Sequence, residues 1–285
     1  MAPILEWTTP TRQNHTGILP LIPIETYEET FECVAATSDP LEDAPTSDGA
    51  RTRRAALANL SLVCRLFCSL SLQHLFHTTV FHNRTSNSPT SAFARALVQQ
   101  QPLADALAPL VRTVVLADWP LAGLLEQAIY RVHTRATRRL PDVTKLVIRD
   151  APFGEDALHT VCQAHCLKSL RLQRVTLFPY DDEQDDEQEL MLPSLEELDI
   201  FNLGMRPELD LEVTLEDANK LRVLRTDSPQ VLRAVLDACP LALRVLDVDL
   251  RDARAPLDAL LAALNVFLDS KAGRALEERS VRLPA

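Results

Sequence analysis

Two spacings of apolar residues divide the chain. From residue 22 it reads IPIETYEETFECV, with Pro23 suited to a first helical position and Glu25, Glu28 and Glu29 to an N-terminal turn. Residues 51–76 then carry Ala55, Leu57, Leu60, Leu62, Val63, Leu66, Phe67, Leu70, Leu72, Leu75 and Phe76, a density that predicts two packed helices. Polar segments punctuate these runs. Residues 1–18 read as an irregular arm, residues 37–50 (TSDPLEDAPTSDGA) as a loop, and residues 83–91 (NRTSNSPTS) as a second loop and candidate domain boundary.

Beyond residue 92 the pattern becomes LxxLxL, with some Val and Ile replacements. Six copies occur: Val111-Val114-Leu116, Val143-Leu146-Ile148, Leu167-Leu170-Leu172, Leu195-Leu198-Ile200, Leu221-Leu224-Thr226 and Leu243-Leu246-Val248. Their middle residues, 114, 146, 170, 198, 224 and 246, are separated by steps of 32, 24, 28, 26 and 22. Leucine-rich repeats have periods of about 20–29 residues, so four of the five steps fit. The LxL alternation puts two apolar side chains on one face of a short strand. Val231, Leu232, Val235, Leu236 and Cys239 show helical spacing between two such strands. A repeated strand and helix cannot bury their apolar faces alone and must stack on their neighbours. The asparagine typical of regular repeats is absent; Trp119, Ala151, Val175, Leu203, Pro229 and Arg251 hold those positions, so an irregular array is expected. The alternative is a mixed α/β domain with a parallel sheet.

With 285 residues, 46% of them hydrophobic, the chain is long and apolar enough for a sizeable core. Six glycines against 19 prolines disfavour glycine-rich phosphate loops. A formal charge of -11 disfavours a nucleic-acid partner. Part of the excess is local: residues 181–189 (DDEQDDEQE) hold seven acids and predict a disordered, dispensable loop within the array. Cys33, Cys64, Cys68, Cys162, Cys166 and Cys239 follow no secreted framework and read as reduced, buried thiols. Neither a signal peptide nor a run of membrane-spanning length is visible, so a cytoplasmic or nuclear location is expected, with no membrane partner.

The N-terminal runs resemble the F-box-like segment of fungal F-box proteins. That family opens with Leu-Pro-x-Glu and a short helix and continues with a run like "aLVCRaW…LF"; here Ile22-Pro23-Ile24-Glu25 runs to Phe31 and Val34, and Leu60 to Phe67 reads LSLVCRLF before Leu75-Phe76. The likeness covers roughly residues 19–82. It implies a helical module that docks on the Skp-type adaptor of cullin–RING ubiquitin ligases. The residues matching the docking face are Ile22, Pro23, Ile24, Phe31, Leu62, Val63, Cys64 and Phe67. Thr26 and Thr30 stand where the family has apolar residues, and Phe67 replaces Trp. Family members often carry leucine-rich repeats downstream, and residues 231–248, a helix, Cys239-Pro240 and a strand, are similar to those repeats.

The fold class expected is therefore α/β: an F-box-like helical module at 19–82, then an irregular leucine-rich-repeat solenoid at 92–285. The expected function is a substrate receptor that docks on the ligase and holds a target protein on the array. The alternative is a repeat scaffold without ligase binding. No hydrolase elbow, phosphate loop or HExxH motif appears, so no enzyme and no cofactor are expected. His159, Cys162, His165 and Cys166 have metal-like spacing but read as part of a repeat helix. Arg131, Arg135, Arg138 and Arg139 form a helical stripe that reads as a solvated face, the other reading being a contact for an acidic partner or for the chain's own acidic loop at 181–189. The target surface is expected between the LxL residues: Lys145, Val147 and Arg149; Ser169, Arg171 and Gln173; Glu197, Asp199 and Phe201; Val223, Arg225 and Asp227; Val245, Asp247 and Asp249. Among these, Lys145, Arg149, Arg171, Phe201 and Arg225 are the candidate contacts, with Phe201 an exposed aromatic anchor or, in the alternative, covered by the chain's own C-terminal segment or acidic loop.

Overall fold

A computed structural model describes residues 23–35, 48–83, 89–119, 124–154, 157, 160–161, 163–177, 187–192, 195–202, 210–215, 218–238, 240–251 and 258–283. Three helices open it: α1 (Ile24–Ala35), α2 (Asp48–Ser61) and α3 (Arg65–His77). They close around Phe31, Leu57 and Leu70, with Tyr27, Val34, Leu60, Leu66, Phe67 and Leu75 at the margins. α2 begins inside the stretch expected to be loop; its four alanines and three arginines are strong helix formers, although their apolar spacing is weak.

Twelve strands follow among the described residues: β1 (Thr78–His82), β2 (Thr113–Ala117), β3 (Lys145–Arg149), β4 (Pro152–Phe153), β5 (Ser169–Gln173), β6 (Thr176–Leu177), β7 (Glu187–Leu192), β8 (Glu197–Phe201), β9 (Asp210–Leu215), β10 (Val223–Thr226), β11 (Val245–Asp249) and β12 (Glu278–Arg282). Eight of them form one sheet in the order β1-β2-β3-β5-β8-β10-β11-β12, every pair parallel. Among the described residues, the chain thus adds each strand of this sheet on the same side. β4 pairs with β6 and β7 with β9, also in parallel. The remaining helices are α4 (Pro89–Val98), α5 (Pro102–Leu107), α6 (Leu124–Thr137), α7 (Pro229–Ala238), α8 (Asp258–Asp269) and α9 (Lys271–Arg274). The architecture is mixed α/β.

All six LxxLxL copies fall in register. Val114, Leu146, Leu170, Leu198, Leu224 and Leu246 are successive cross-strand partners, and so are Leu116, Ile148, Leu172, Ile200, Thr226 and Val248. These residues are buried with Tyr130, Ala136, Val231 and Val235 from the helices, so one elongated core lies between sheet and helices. The strand starts share one device. The carbonyl of Arg112 accepts from the amides of Thr144 and Lys145, and those of Thr144, Lys168, Glu196, Arg222 and Arg244 repeat this double acceptance one strand further on. The strand ends share another: Asp118, Asp150, Arg174 and Asn202, each just past its strand, have positive φ. Asp and Asn tolerate that conformation best, so Arg174 is the costly member. Its guanidinium holds Asp150 at 2.5 and 2.6 Å.

Two strands extend the six. Residues 78–82, grouped by their sequence with the helical module, pair with β2 as the first strand of the sheet. β12 is the last, and there Arg279 takes the place opposite Leu246. An exposed arginine in the leucine column ends the apolar series and guards the sheet edge. Nearby, Gly273 lies so close to the backbone of Phe267 and Leu268 that no Cβ fits there. β7 starts within the acidic stretch, at Glu187; residues 181–186 lie outside the described residues.

Candidate interaction surfaces

The turn between α2 and α3 is tight. The Leu62 amide donates to the Asn59 carbonyl and the Val63 amide to that of Leu60, both at 3.1 Å. Cys64 follows in extended conformation as the N-cap of α3, without a side-chain cap bond. This geometry turns the two apolar side chains outward: Leu62 is 84% exposed and Val63 65%. Pro23, Ile24 and Cys64 are exposed as well, and Ile22 lies outside the described residues. Phe31 and Phe67 do not join them. Phe31 is 2% exposed, and its ring meets Phe67 edge-on at 5.3 Å, with Tyr27 at 5.6 Å from Phe67. These two aromatics hold the helices together, because three short helices need large side chains to fill the space between them. Thr30, on the exposed side of α1, donates its hydroxyl to the Thr26 carbonyl at 2.6 Å.

The sheet face opposite the leucine columns has two halves. Val80, Val115 and Val147, cross-strand partners, form a small buried cluster with Ala117. From β5 onward the same column reads Arg171, Asp199, Arg225, Asp247. Asp199 is nearly buried, with a side chain 7% exposed. It takes Nε and Nη2 of Arg171 at 2.7 and 2.6 Å and Nη1 of Arg225 at 3.4 Å. Two of the arginines expected to meet a target are therefore committed to a neighbouring strand. Arg149 lies 3.6 Å from Asp150, its Nε buried without a hydrogen bond. Lys145 and Phe201 are half-buried, so the aromatic anchor is less open than its position in the strand implies.

At the far end of this face Asp249 is held by Arg251 at 2.6 Å and Arg282 at 3.2 Å, which keeps its carboxyl far below the usual carboxylate range. On the helical side the arginine stripe is uneven. Arg131, Arg135 and Arg139 are exposed, while Arg138 is half-buried and reaches the Thr160 hydroxyl at 3.3 Å.

Among the described residues, Ser91 and His133, both buried, form a contact that resembles a catalytic pair in composition. His133 Nδ1 donates to the Ile129 carbonyl at 2.8 Å, so Nε2 accepts from Ser91 Oγ at 3.4 Å. Phe81 and Trp119 close over the ring at 4.8 and 4.9 Å, and the indole of Trp119 donates to the Phe81 carbonyl. Burial pushes the imidazole below its ordinary pKa, with a smaller push from Arg95. Nothing in the sequence pattern singled out this cluster; it packs α4 and α6 against the sheet.

Among the described residues no group of three His, Cys, Asp or Glu side chains is placed to hold an ion. His159 and Cys162 lie outside them, and His165 and Cys166 are exposed. The cysteines differ from expectation. Cys33, Cys64 and Cys166 are exposed and Cys68 is half-buried, all as free thiols, because they fall on outer helix positions and turns; Cys162 and Cys239 lie outside the described residues. No described helix is long and apolar enough to cross a membrane. No protein-family model matches the chain, and a search of curated proteins finds no match.

Proposed function

We propose that the chain is a substrate-receptor adaptor of a Skp–cullin–F-box type ubiquitin ligase. In this reading α1–α3 are an F-box-like module, and the sheet with its helices is an irregular leucine-rich-repeat solenoid. The module docks on the ligase, the array holds a protein target, and a separate enzyme transfers ubiquitin. The contribution is positioning, with no chemistry and no cofactor of its own.

The observation that carries it is the pair Leu62 and Val63, standing out at a hydrogen-bonded turn inside the LVCR run. Large apolar side chains so exposed on a short turn fit a surface covered by a partner. Six repeat copies in register along a sheet that grows in chain order support the second half. The docking set is then Pro23, Ile24, Leu62, Val63 and Cys64, with Ile22 beside it in sequence; Phe31 and Phe67 hold the module's shape.

Pull-down of purified Skp-type adaptor tests the reading. The full chain is expected to capture it and the Leu62→Asp/Val63→Asp variant to lose it. The second reading, a repeat scaffold without ligase binding, draws on Thr26 and Thr30, which put hydroxyls on the exposed side of α1. Failure of the unaltered chain to capture the adaptor favours that scaffold.

A further inference from the structure

The charged column on the open sheet face stops one partner short. Across β5, β8, β10 and β11 it reads Arg171, Asp199, Arg225, Asp247, and β12 continues it with Ser280 opposite Asp247. In this order Asp199 sits between two arginines and receives both, whereas Asp247 has an arginine on one side only. Asp247 does not receive it. Arg225 turns to Asp199, and on the other side a serine stands where an arginine would complete the series. Oδ1 of Asp247 is closed off from solvent and has no hydrogen-bond partner in the structure. Its acidic neighbours are provided for: Asp249 by Arg251 and Arg282, and Asp227 by the Asn202 amide at 2.7 Å.

We propose that Asp247 anchors the bound target and that its partner is an arginine on an extended segment of that protein. The inference rests on the reading of this sheet face as the target surface. A carboxylate with one oxygen already shut from water has lost part of its hydration, so pairing it costs less than pairing a fully solvated acid. Val223 and Val245, half-buried on the same face two positions along their strands, offer an apolar bed for the stem of a long cationic side chain. The guanidinium fits better than an ammonium, being planar and more weakly hydrated, so that it loses less on leaving water for a partly desolvated carboxylate. The incoming arginine takes the place that Ser280 leaves in the column.

Random peptides displayed on phage and selected on the full chain serve as the probe. The selected peptides are expected to converge on arginine. Asp247→Asn is expected to weaken them about tenfold, the scale of one lost charge-assisted hydrogen bond. Ser280→Arg supplies the missing guanidinium from β12 itself and is expected to weaken them likewise while raising the melting temperature. Asp237→Asn, on α7 across the core and paired with Arg233, is the control and should change nothing. Equal weakening by Asp237→Asn and Asp247→Asn would mean general attraction to an acidic chain and would overturn the proposal. Peptides lost on Phe201→Asp but indifferent to Asp247→Asn would keep the sheet face as a binding surface and remove Asp247 as its anchor. A selection that yields no peptide, or only peptides indifferent to every sheet-face variant, would overturn the sheet-face reading itself.

Discussion

In the helical segment Leu62 and Val63 stand in water at a turn, while in the sheet the central residues of six successive repeats, from Val114 to Leu246, are at most 1% exposed. Charge shows the reverse. The helical core around Phe31 is built on Leu57, Leu70 and aromatic rings, whereas the open sheet face joins Arg171 and Arg225 through Asp199 between them. On the proposed reading the two regions meet their partners by different forces. A surface of uncovered apolar side chains gains on the order of 1.5–3 kcal/mol for each large side chain it buries. A face of paired charges gains less affinity and discriminates more, since a wrong partner leaves a desolvated charge unpaired.

The most damaging change should separate the regions. Phe31→Ala removes the largest of three fully enclosed side chains in the helical cluster, a loss of about 3–5 kcal/mol for a buried aromatic. So small a core cannot absorb that loss. The expected result is rapid hydrogen exchange across α1–α3, with the amides of β2, β3 and β5 still protected. If the sheet amides lose protection in step, the two regions are one cooperative unit and the comparison fails. Leu198→Ala is the reciprocal test. It should cost about 2–5 kcal/mol, and the loss should spread to the strands on both sides, because β8 is paired with β5 and β10 and shares their core.

The next change probes the charged face. Asp199→Ala leaves Arg171, with a side chain only 19% exposed, without its partner. Breaking a fully buried pair costs about 3–5 kcal/mol; here Arg225 is 38% exposed and Asp199 has two partners sharing the site, so a loss of about 1–2 kcal/mol is expected. A lower urea midpoint with an unchanged slope would show it. No change in midpoint would mean that solvent already screens the column, and the contrast between the two regions would narrow.

Acid should act on the junction of α4, α6 and the sheet. Burial lowers the pKa of His133, so the fold prefers the neutral ring. The stabilisation is complete above the unfolded value, near pH ~6.5, and is lost as pH falls below it, because only the unfolded chain takes up the proton readily. Melting temperatures should drop between neutral and mildly acidic pH, and less so in His133→Gln. An unchanged pH profile in that variant would assign the drop to other groups, with His77, also lowered by burial, the first to test.

The repeat core was legible in the sequence because LxxLxL is a direct imprint of packing: a strand that buries two residues at every pass must repeat them. β1 and β12 escaped because they carry Thr79 and Arg279 at the first position, where all six copies carry an aliphatic residue. The site was less legible, for reasons of geometry. Phe31 and Phe67 are as apolar as Leu62 and Val63, and spacing along a helix does not say which side a third helix will cover. Arg171 and Arg225 read as available because each strand was considered alone; their partner Asp199 lies 28 and 26 residues away in the chain and becomes adjacent only through the register. Asp247 stood in the same column, and its want of a partner depends on Ser280, in a strand the repeat pattern did not reveal.

The smallest expected change in stability belongs to the residues with the largest expected effect on binding. Leu62 and Val63 leave most of their surface in water, so Leu62→Asp/Val63→Asp removes almost no buried area; their backbone bonds to Asn59 and Leu60 involve no side chain and survive the change. Away from caps and cores, surface substitutions stay within about 0.5 kcal/mol. The variant is thus expected to melt with the unaltered chain and yet fail to capture the Skp-type adaptor. Phe67→Ala should behave differently, losing stability and capture together, since its ring packs on Phe31 and Tyr27. The pair of results separates a docking residue from a residue that shapes the docking module. A fall in melting temperature for Leu62→Asp/Val63→Asp as large as that of Phe67→Ala would place the turn within the module's own core and remove the apolar surface on which the contrast with the sheet depends.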